Sequence, residues 1–227
     1  MHSTHNYWRE DQASIISRVV ETIDVDRPAV IDLLCGAGGL CEFLLKSLPN
    51  TKITGVDPSP FLLMICKNHL EQYKGRLSLL QGDIRDAETV ERAGPFQAAV
   101  SFTSFHNLSR QSILNVYRHI YRCLPHRGIF VTGDVCTLSD SWFEGLHLSK
   151  REKKPVISMD DFWNTIKSRY GIAEEIDEMN ALTSFRDTPE HGYPPSFYVN
   201  SLRWAGCEMA DVVFQAENRI VYCARKR

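Results

Sequence analysis

The sequence lacks the features that mark membrane proteins, secreted disulfide scaffolds and nucleic-acid-binding proteins. No apolar run approaches the roughly 18 residues that a membrane span needs, and the first residues lead into a polar segment without the pattern of a signal peptide. The net charge is −2, so no general attraction to nucleic acid or to an anionic membrane is expected. The one dense basic run, residues 150–154, is typical of a solvated helix end.

Disulfide and metal motifs are also lacking. The seven cysteines are scattered, odd in number and mostly in apolar runs, and no Cys-x-x-Cys pair is present. This pattern favours buried free thiols in a reducing cytosol, and therefore a cytoplasmic location. No metal site is predicted. At 227 residues, the chain is long enough for one domain with a sizeable core.

One stretch, residues 29–40, predicts a nucleotide-type pocket. A short apolar run interrupted by Asp32 leads into a turn with Gly36, Gly38 and Gly39, and apolar residues at helical spacing follow. A buried strand, a glycine turn and a helix form the layout of a ligand site at the carboxyl end of a parallel strand. A tight strand-to-helix turn without a ligand is the alternative interpretation.

Asp32 argues against a phosphate-rich ligand at this turn. A dinucleotide or triphosphate site directs backbone N–H groups at a polyanion, which a fixed carboxylate would repel. A sulfonium or an ammonium would be attracted instead. The dinucleotide fingerprint also requires Gly or Ala where Cys41 stands, and no P-loop lysine follows the turn.

The rest of the chain predicts a parallel sheet with an antiparallel end. Apolar runs predict four more strands, at 52–57, 76–81, 97–102 and 129–134, and the helical patterns between them imply right-handed crossovers. A helix over 11–23 precedes the first strand. The tail predicts a helix and a hairpin whose two strands are joined by a short link. Between strand five and the tail, about sixty aromatic-rich residues predict a helical cap over the pocket.

Several side chains fall where they would line this pocket. Asp57, at the tip of the second strand, suits hydrogen bonds to both hydroxyls of a ribose. Asp83 is placed either to accept from an adenine amino group or to cap the next helix. His106, after strand four, and His191, in the predicted cap, are the candidate catalytic residues, and a structural histidine is the alternative for each. Tyr7 either covers a ligand as part of a lid or packs the first helix.

Taken together, these motifs resemble the class I S-adenosylmethionine-dependent methyltransferases, of the small-molecule type. The resemblance covers about 29–134 and 196–225. The segments that carry it, in chain order, are 32–39, 55–60, 81–84, 96–108 and 205–207. The resemblance implies a Rossmann-like, doubly wound α/β fold: a seven-stranded sheet with an antiparallel C-terminal hairpin and a helical cap inserted after strand five. One domain would span 1–227, with an N-terminal helical lid at 1–28 and the cap at 135–195.

The resemblance also implies the cofactor S-adenosyl-L-methionine. In the family, the first turn passes under the methionine part, the second acid holds the ribose, the third acid meets the adenine, and the strand-four residue matching Ser101 faces the cofactor. Tyr7 is added from the predicted lid, and Pro58 and Leu62 because they fall near the nucleoside. The predicted cofactor-binding residues are Tyr7, Asp32, Cys35, Gly36, Gly38, Asp57, Pro58, Leu62, Asp83, Ile84, Ser101 and Phe102.

The sequence departs from the family pattern in two places. Leu34 stands where the family usually has its first glycine, so a side chain would crowd the methionine moiety or tilt the turn. Gln97 stands where the family often has Asp. The tail is also similar to carboxy-S-adenosylmethionine synthases, although Ser201 takes the position of the arginine that binds the added carboxylate there.

The function that the resemblance implies is in-line methyl transfer to a small-molecule acceptor, for which the enzyme mainly positions the reactants. Acceptors that must lose a proton need a base, and the candidates are His106, Asp134, His147 and His191. One alternative is a lyase on the same fold that releases methylthioadenosine, of the azetidine-2-carboxylate-forming type. Another is a cofactor-binding subunit without turnover. The expected partner is a small molecule, with no nucleic acid or membrane, and a homodimer is left open.

Overall fold

A computed structural model describes residues 4–137, 186–188 and 192–227, with side chains from residue 10 onward. Its centre is a seven-stranded sheet. The strands are β1 (Ala29–Leu33), β2 (Lys52–Asp57), β3 (Leu77–Gln81), β4 (Ala98–Phe102), β5 (Ile129–Val135), β6 (Met209–Ala216) and β7 (Arg219–Arg225). They are arranged in the order β3-β2-β1-β4-β5-β7-β6.

The sheet is parallel over its first five strands and antiparallel at one end. β1 pairs with β2 and β4, and the flanking pairs β2–β3 and β4–β5 are parallel as well. β7 runs antiparallel to both β5 and β6. The predicted doubly wound sheet and its C-terminal hairpin are therefore confirmed. The strand order reverses between β1 and β4, and in such sheets this switch point opens a crevice at the carboxyl edge.

Six helices are described, and they cover both faces of the sheet. They are α1 (Thr4–Glu21), α2 (Gly39–Ser47), α3 (Pro60–His69), α4 (Ala87–Arg92), α5 (Arg110–Cys123) and α6 (Pro195–Trp204). Buried apolar residues of α1, α2 and α3 form a core on one face, and those of α4, α5 and α6 form a second core on the other. Side-chain caps fix several of the starts: Ser59 accepts from Leu62 N–H at α3, and Ser109 accepts from Ser112 N–H at α5.

From residue 10 onward, where its side chains are described, helix α1 packs against the sheet. Gln12, Ile16 and Val20, spaced four residues apart, are all buried, and the helix packs across β5 and β7. It begins earlier than the predicted range of 11–23 and ends at Glu21. The lid role predicted for residues 1–28 stays a prediction. The ligand contact predicted for Tyr7 also stays a prediction, because its side chain lies outside the described residues.

The remaining differences are local. Helix α4 is capped by Asp86, whose carboxylate accepts from Glu88 N–H, so the alternative interpretation of Asp83 as the cap of this helix is wrong. Asp83 instead binds Arg85. The predicted cap at 135–195 falls mostly on residues 138–185 and 189–191, outside the described ranges. Within the described residues, none of the helices combines the length and apolar character that spanning a membrane requires.

Candidate functional site

The carboxyl edge of the sheet brings most of the predicted site residues together. In the register of the sheet, Leu33 at the end of β1 lies between Val56 of β2 and Ser101 of β4. The glycine turn after β1, Asp57 at the end of β2 and the loop after β4 are therefore neighbours. The sequence spacing could place these groups on one edge because the carboxyl ends of parallel strands coincide.

The glycine turn is held in place by Asp57. Gly36 N–H donates to Asp57 Oδ2 at 2.9 Å, and Ser59 N–H donates to Oδ1 at 2.9 Å. Gly38, with φ of 89°, has no room for a side chain, because an added Cβ would lie 2.5 Å from Cys66 Sγ. An added Cβ at Gly36 would meet no atom of the described residues within 4 Å. The turn is thus packed tightly on the Gly38 side and open at Gly36, where a ligand can approach the backbone.

Asp57 keeps hydrogen-bonding capacity for a ligand. Asp57 is 5% exposed, and burial raises the pKa of its carboxyl group, while the two backbone N–H donors act in the opposite direction. Each carboxylate oxygen accepts one protein N–H bond and has a second lone pair. The group can therefore hold the turn and accept from two ribose hydroxyls at the same time.

Asp32 lies beneath the turn, in the interior. It is 1% exposed, and the Cys41 thiol donates to its Oδ2 at 3.1 Å, while Oδ1 has no hydrogen-bond partner in the described part of the chain. Burial raises its pKa to about 7, and the Cys41 hydrogen bond offsets part of that rise. Asp32 is therefore close to its titration midpoint at neutral pH, and a bound cation would favour its ionised form.

Leu34 keeps the backbone conformation that glycine usually supplies in this turn. Its φ is 62°, in the left-handed region, which costs an L-residue roughly 1–2 kcal/mol. The side chain is buried in the core with Leu33, Val56 and Ile84, and this burial offsets the strain. The turn is accordingly not forced into another backbone region by the missing glycine.

Three free thiols pack behind the turn. Cys35, Cys41 and Cys66 are all buried, and the neighbouring thiols of Cys35 and Cys41 lower the pKa of Cys66 by hydrogen bonding to it. The Cys35 side chain faces β2, since an added Cβ at Gly55 would lie 2.9 Å from Cys35 Sγ. A ligand contact at Cys35 would therefore use its backbone.

The residues after β3 lie at the adenine end of the predicted site. The Arg85 side chain binds both carboxylate oxygens of Asp83 and also lies 3.5 Å from Asp187. Asp83 is therefore already paired with a cation, and any adenine contact would use its remaining lone pairs. The Ile84 side chain is fully buried in the core, which leaves only its backbone for a ligand. Pro58, on the β2 side, is half-buried.

The predicted residues on β4 have different surroundings from one another. Ser101 is fully buried, and its hydroxyl donates to Leu33 O at 2.8 Å, so it ties β4 to β1. Phe102 is half-buried, and its ring packs at Gly133. On α3, Leu62 is half-buried. Tyr7 and His191 are not placed, because the Tyr7 side chain and His191 lie outside the described residues.

His106 forms a close pair with Asp134 at the next strand end. It lies in a 3₁₀ turn, Phe105–Asn107, after β4, and its Nδ1 is 2.7 Å from Asp134 Oδ1. Its backbone N–H also donates to Asp134 Oδ2 at 3.2 Å. Asp134 is fully buried near the end of β5, whereas the His106 side chain is 19% exposed. A neutral imidazole that donates from Nδ1 to this carboxylate presents Nε2 as its acceptor atom.

Three polar residues of this edge were missed as site residues from the sequence. Gln12 of α1 is fully buried, and its Nε2 donates to Asp134 O and Ile220 O. Ser104 donates to Leu34 O at 3.4 Å. Asp187 accepts from Ser109 and Ser112 at the start of α5. Only Gln12 had a signal in the sequence, because it lies on the same helical stripe as Ile16 and Val20.

Comparison with known proteins agrees with this geometry. Residues 30–128 match the family model described as a methyltransferase domain. The match covers under half of the chain, and with the seven-stranded sheet it makes the chain similar to class I S-adenosylmethionine-dependent methyltransferases. An O-methyltransferase family 2 protein from Planctomyces limnophilus, solved in complex with apigenin, superposes with a TM-score of 0.60 at 16% identity, over 100% of this chain and 62% of that one. At this identity the likeness concerns the fold.

Two curated relatives match shorter stretches. The carboxy-S-adenosyl-L-methionine synthase of Citrobacter koseri is 27% identical over 132 residues, which is 56% of this chain and 52% of that protein. The ribosomal RNA small subunit methyltransferase H of Persephonella marina is 34% identical over 61 residues, which is 27% of this chain and 21% of that protein. The chain thus spans between about a fifth and a half of the curated relatives it matches.

Proposed function

We propose that this protein is an S-adenosylmethionine-dependent methyltransferase that acts on a small molecule through an O–H or N–H nucleophile. The observation that carries this proposal is the His106–Asp134 pair, 2.7 Å between Nδ1 and Oδ1, at the strand end next to the turn held by Asp57. A cofactor cradle and a positioned base at one edge are the two parts that such a transfer needs.

The residues around the turn suit the cofactor. In the proposed arrangement, the open side of Gly36 admits the methionine part, Asp57 accepts from the ribose hydroxyls, and Pro58 and Leu62 flank the adenine near Asp83. Beneath the turn, the acidic group of Asp32 favours a cation. When bound, S-adenosylmethionine supplies an electrophilic methyl group on a sulfonium whose leaving group is neutral. These assignments are supported by the sequence motifs together with the contacts described above.

The chain's own contribution to the reaction is to position the acceptor and to take its proton. In the proposed arrangement, Nδ1–H of His106 donates to Asp134, so Nε2 is the basic atom that accepts the proton from the acceptor. The buried carboxylate of Asp134 then stabilises the positive charge that develops on the imidazole. A base of this kind typically contributes about 10²–10⁴-fold to the rate.

The net charge of the chain and the lengths over which it matches other proteins favour a small acceptor over RNA. The chain carries a net charge of −2, whereas RNA-binding surfaces are usually basic. The match to the ribosomal RNA methyltransferase covers only 61 residues. The fold neighbour solved with apigenin covers the whole of this chain, and its bound small molecule supports an acceptor of that size.

Carboxyl transfer is less well supported than methyl transfer. Ser201, which takes the position of the carboxylate-binding arginine of the synthases, is fully buried in α6. An uncharged hydroxyl cannot form the ion pair that such a carboxylate requires. The lyase alternative stays an outcome of the assay below.

The test is product analysis after incubation with S-adenosylmethionine, alone and with a set of small phenols and amines. We expect S-adenosylhomocysteine only when an acceptor is present. Methylthioadenosine without any acceptor would instead identify a lyase, and neither product would support a binding subunit. As a parallel check, millimolar S-adenosylmethionine should raise the melting temperature, and the absence of any shift would contradict the cofactor assignment.

A further inference from the structure

Two residues that adjoin Gly133 at the carboxyl edge of the sheet each have a buried side-chain oxygen atom without a hydrogen-bond partner among the described residues. These atoms are Gln12 Oε1 on α1 and Thr103 Oγ1 in the loop after β4. A Cβ added at Gly133 would lie 3.2 Å from Gln12 Cβ and 3.2 Å from the Phe102 ring. Thr103 directly follows Phe102, and its N–H donates to Gly133 O at 2.7 Å. Both residues therefore adjoin the same point on β5.

The orientation of the Gln12 amide follows from its partners. Nε2 donates to Asp134 O at 3.1 Å and to Ile220 O at 2.9 Å. If the amide were flipped, its oxygen would face two carbonyl oxygens, so the assignment is unambiguous. Both N–H donors are thereby used within the protein, and Oε1 is left as a pure acceptor in a residue that is 0% exposed.

Thr103 carries a second, independent irregularity. Its φ is 58°, a left-handed conformation that is a real outlier for a β-branched residue. Strain of this kind is tolerated where the surroundings enforce it, and it clusters at ligand sites. Its N–H bond to Gly133 O holds the residue there, while its hydroxyl has no partner within the described ranges. A buried unpaired polar atom is costly and calls for an explanation such as a ligand.

We infer that Gln12 and Thr103 bind the α-ammonium group of the cofactor's methionine moiety. An ammonium group has three N–H donors and no acceptor, so it is a suitable hydrogen-bond partner for the oxygen atoms of both residues. A carboxylate has none, and it would meet the Gln12 oxygen as one acceptor facing another. The strand that carries Thr103 is adjacent to β1, beside the turn assigned to the methionine part. This inference rests on the proposed function and names two residues that determine its specificity.

The test compares ligands that differ in the ammonium group alone. Dissociation constants are measured by titration calorimetry for S-adenosylhomocysteine and for its analogue with hydrogen in place of the α-amino group. Thr103→Val removes the hydroxyl while keeping a β-branched side chain, and Thr103→Ser keeps the hydroxyl. We expect Thr103→Val to weaken S-adenosylhomocysteine roughly tenfold, to leave the analogue's affinity unchanged, and Thr103→Ser to bind both as the wild type does.

Gln12→Leu provides the second arm. It should cause the same selective loss for S-adenosylhomocysteine, together with a lower melting temperature, since Asp134 and Ile220 lose their donor. The inference is overturned if Thr103→Val binds S-adenosylhomocysteine like the wild type, or if it weakens the analogue equally. If the wild-type protein binds neither S-adenosylmethionine nor S-adenosylhomocysteine, the proposed function itself fails, and that result is distinct from a failure of Thr103 alone.

Discussion

The glycine turn and the histidine loop lie at neighbouring strand ends but are built in different ways. The turn is held by residues that are close in the chain, because Asp57 accepts from Gly36, 21 residues before it, and from Ser59, two residues after it. The histidine loop depends on groups far apart in the chain: His106 is held by Asp134, 28 residues on, and Gln12 reaches Asp134 from 122 residues before it. The comparison indicates that a ligand cradle can be encoded locally, whereas a positioned base here requires the assembled sheet.

The strongest test of whether the two regions have separate roles is to remove the proposed base alone. His106→Ala should lower turnover by about 10²–10⁴-fold, because the acceptor proton would have no positioned recipient, while the dissociation constant for S-adenosylhomocysteine should stay unchanged. Steady-state kinetics with an acceptor found by the product assay would measure the first effect, and calorimetry the second. His126→Ala, at an exposed position in the turn before β5, is the matched control. Wild-type turnover in His106→Ala would exclude its role as the base.

The complementary change acts on the cradle. Asp57→Ala removes the acceptor of two backbone N–H groups and of the ribose, so binding of S-adenosylhomocysteine should weaken by about 1–3 kcal/mol, roughly 5- to 150-fold. Calorimetry measures this change. Asp86→Ala removes a helix cap on the surface and should cost some stability without any effect on affinity. Unchanged affinity in Asp57→Ala would show that the ribose contact is misassigned.

Leu34 tests how far the turn depends on strain. Leu34→Ala should destabilise the protein by about 2–5 kcal/mol because it leaves a cavity. Leu34→Gly loses the same packing but relieves the left-handed φ of 62°, so it should be more stable than Leu34→Ala by about 1 kcal/mol. Chemical denaturation of both variants gives the difference. Equal stability would mean that the conformation of Leu34 carries no measurable strain.

A further test concerns the pH dependence of stability due to Asp32. Its folded pKa of about 7 lies above the unfolded value of about 3.9, so the folded protein retains a proton that the unfolded chain has lost between these values. The contribution of Asp32 to stability is therefore full below about pH 4 and is lost as the pH rises to about 7. Asp32→Asn should flatten stability curves over this range.

The same group links pH to cofactor binding. Because a cation favours ionised Asp32, affinity for S-adenosylmethionine should rise a few-fold between pH 6 and 8, and rise less for S-adenosylhomocysteine, which lacks the sulfonium. Calorimetry at several pH values would measure both slopes. Parallel slopes in the wild type and in Asp32→Asn would contradict the link.

The interpretation of single residues in the sequence was more reliable for backbone roles than for side-chain surroundings. Asp57 was placed at the tip of β2 because its strand pattern and spacing are local. The predicted environment of Asp32 was less accurate: sequence position suggested a fixed charge beside the turn, whereas the packing of α2 against β1 buries the group under Cys41. The partner of Asp83 was also missed, since an arginine two residues later gives no periodic signal.

By itself, the sequence determined the order of strands and helices, the glycine turn and the acids at the strand ends, because these depend on local propensity and on the periodicity of apolar residues. Only the tertiary structure decided that His106 is paired with Asp134, that Gln12 and Thr103 have side-chain oxygens without partners among the described residues, and that Asp32 has a raised pKa. Those properties arise from contacts between distant segments and from the exclusion of water, neither of which is visible in the spacing of residues along the chain.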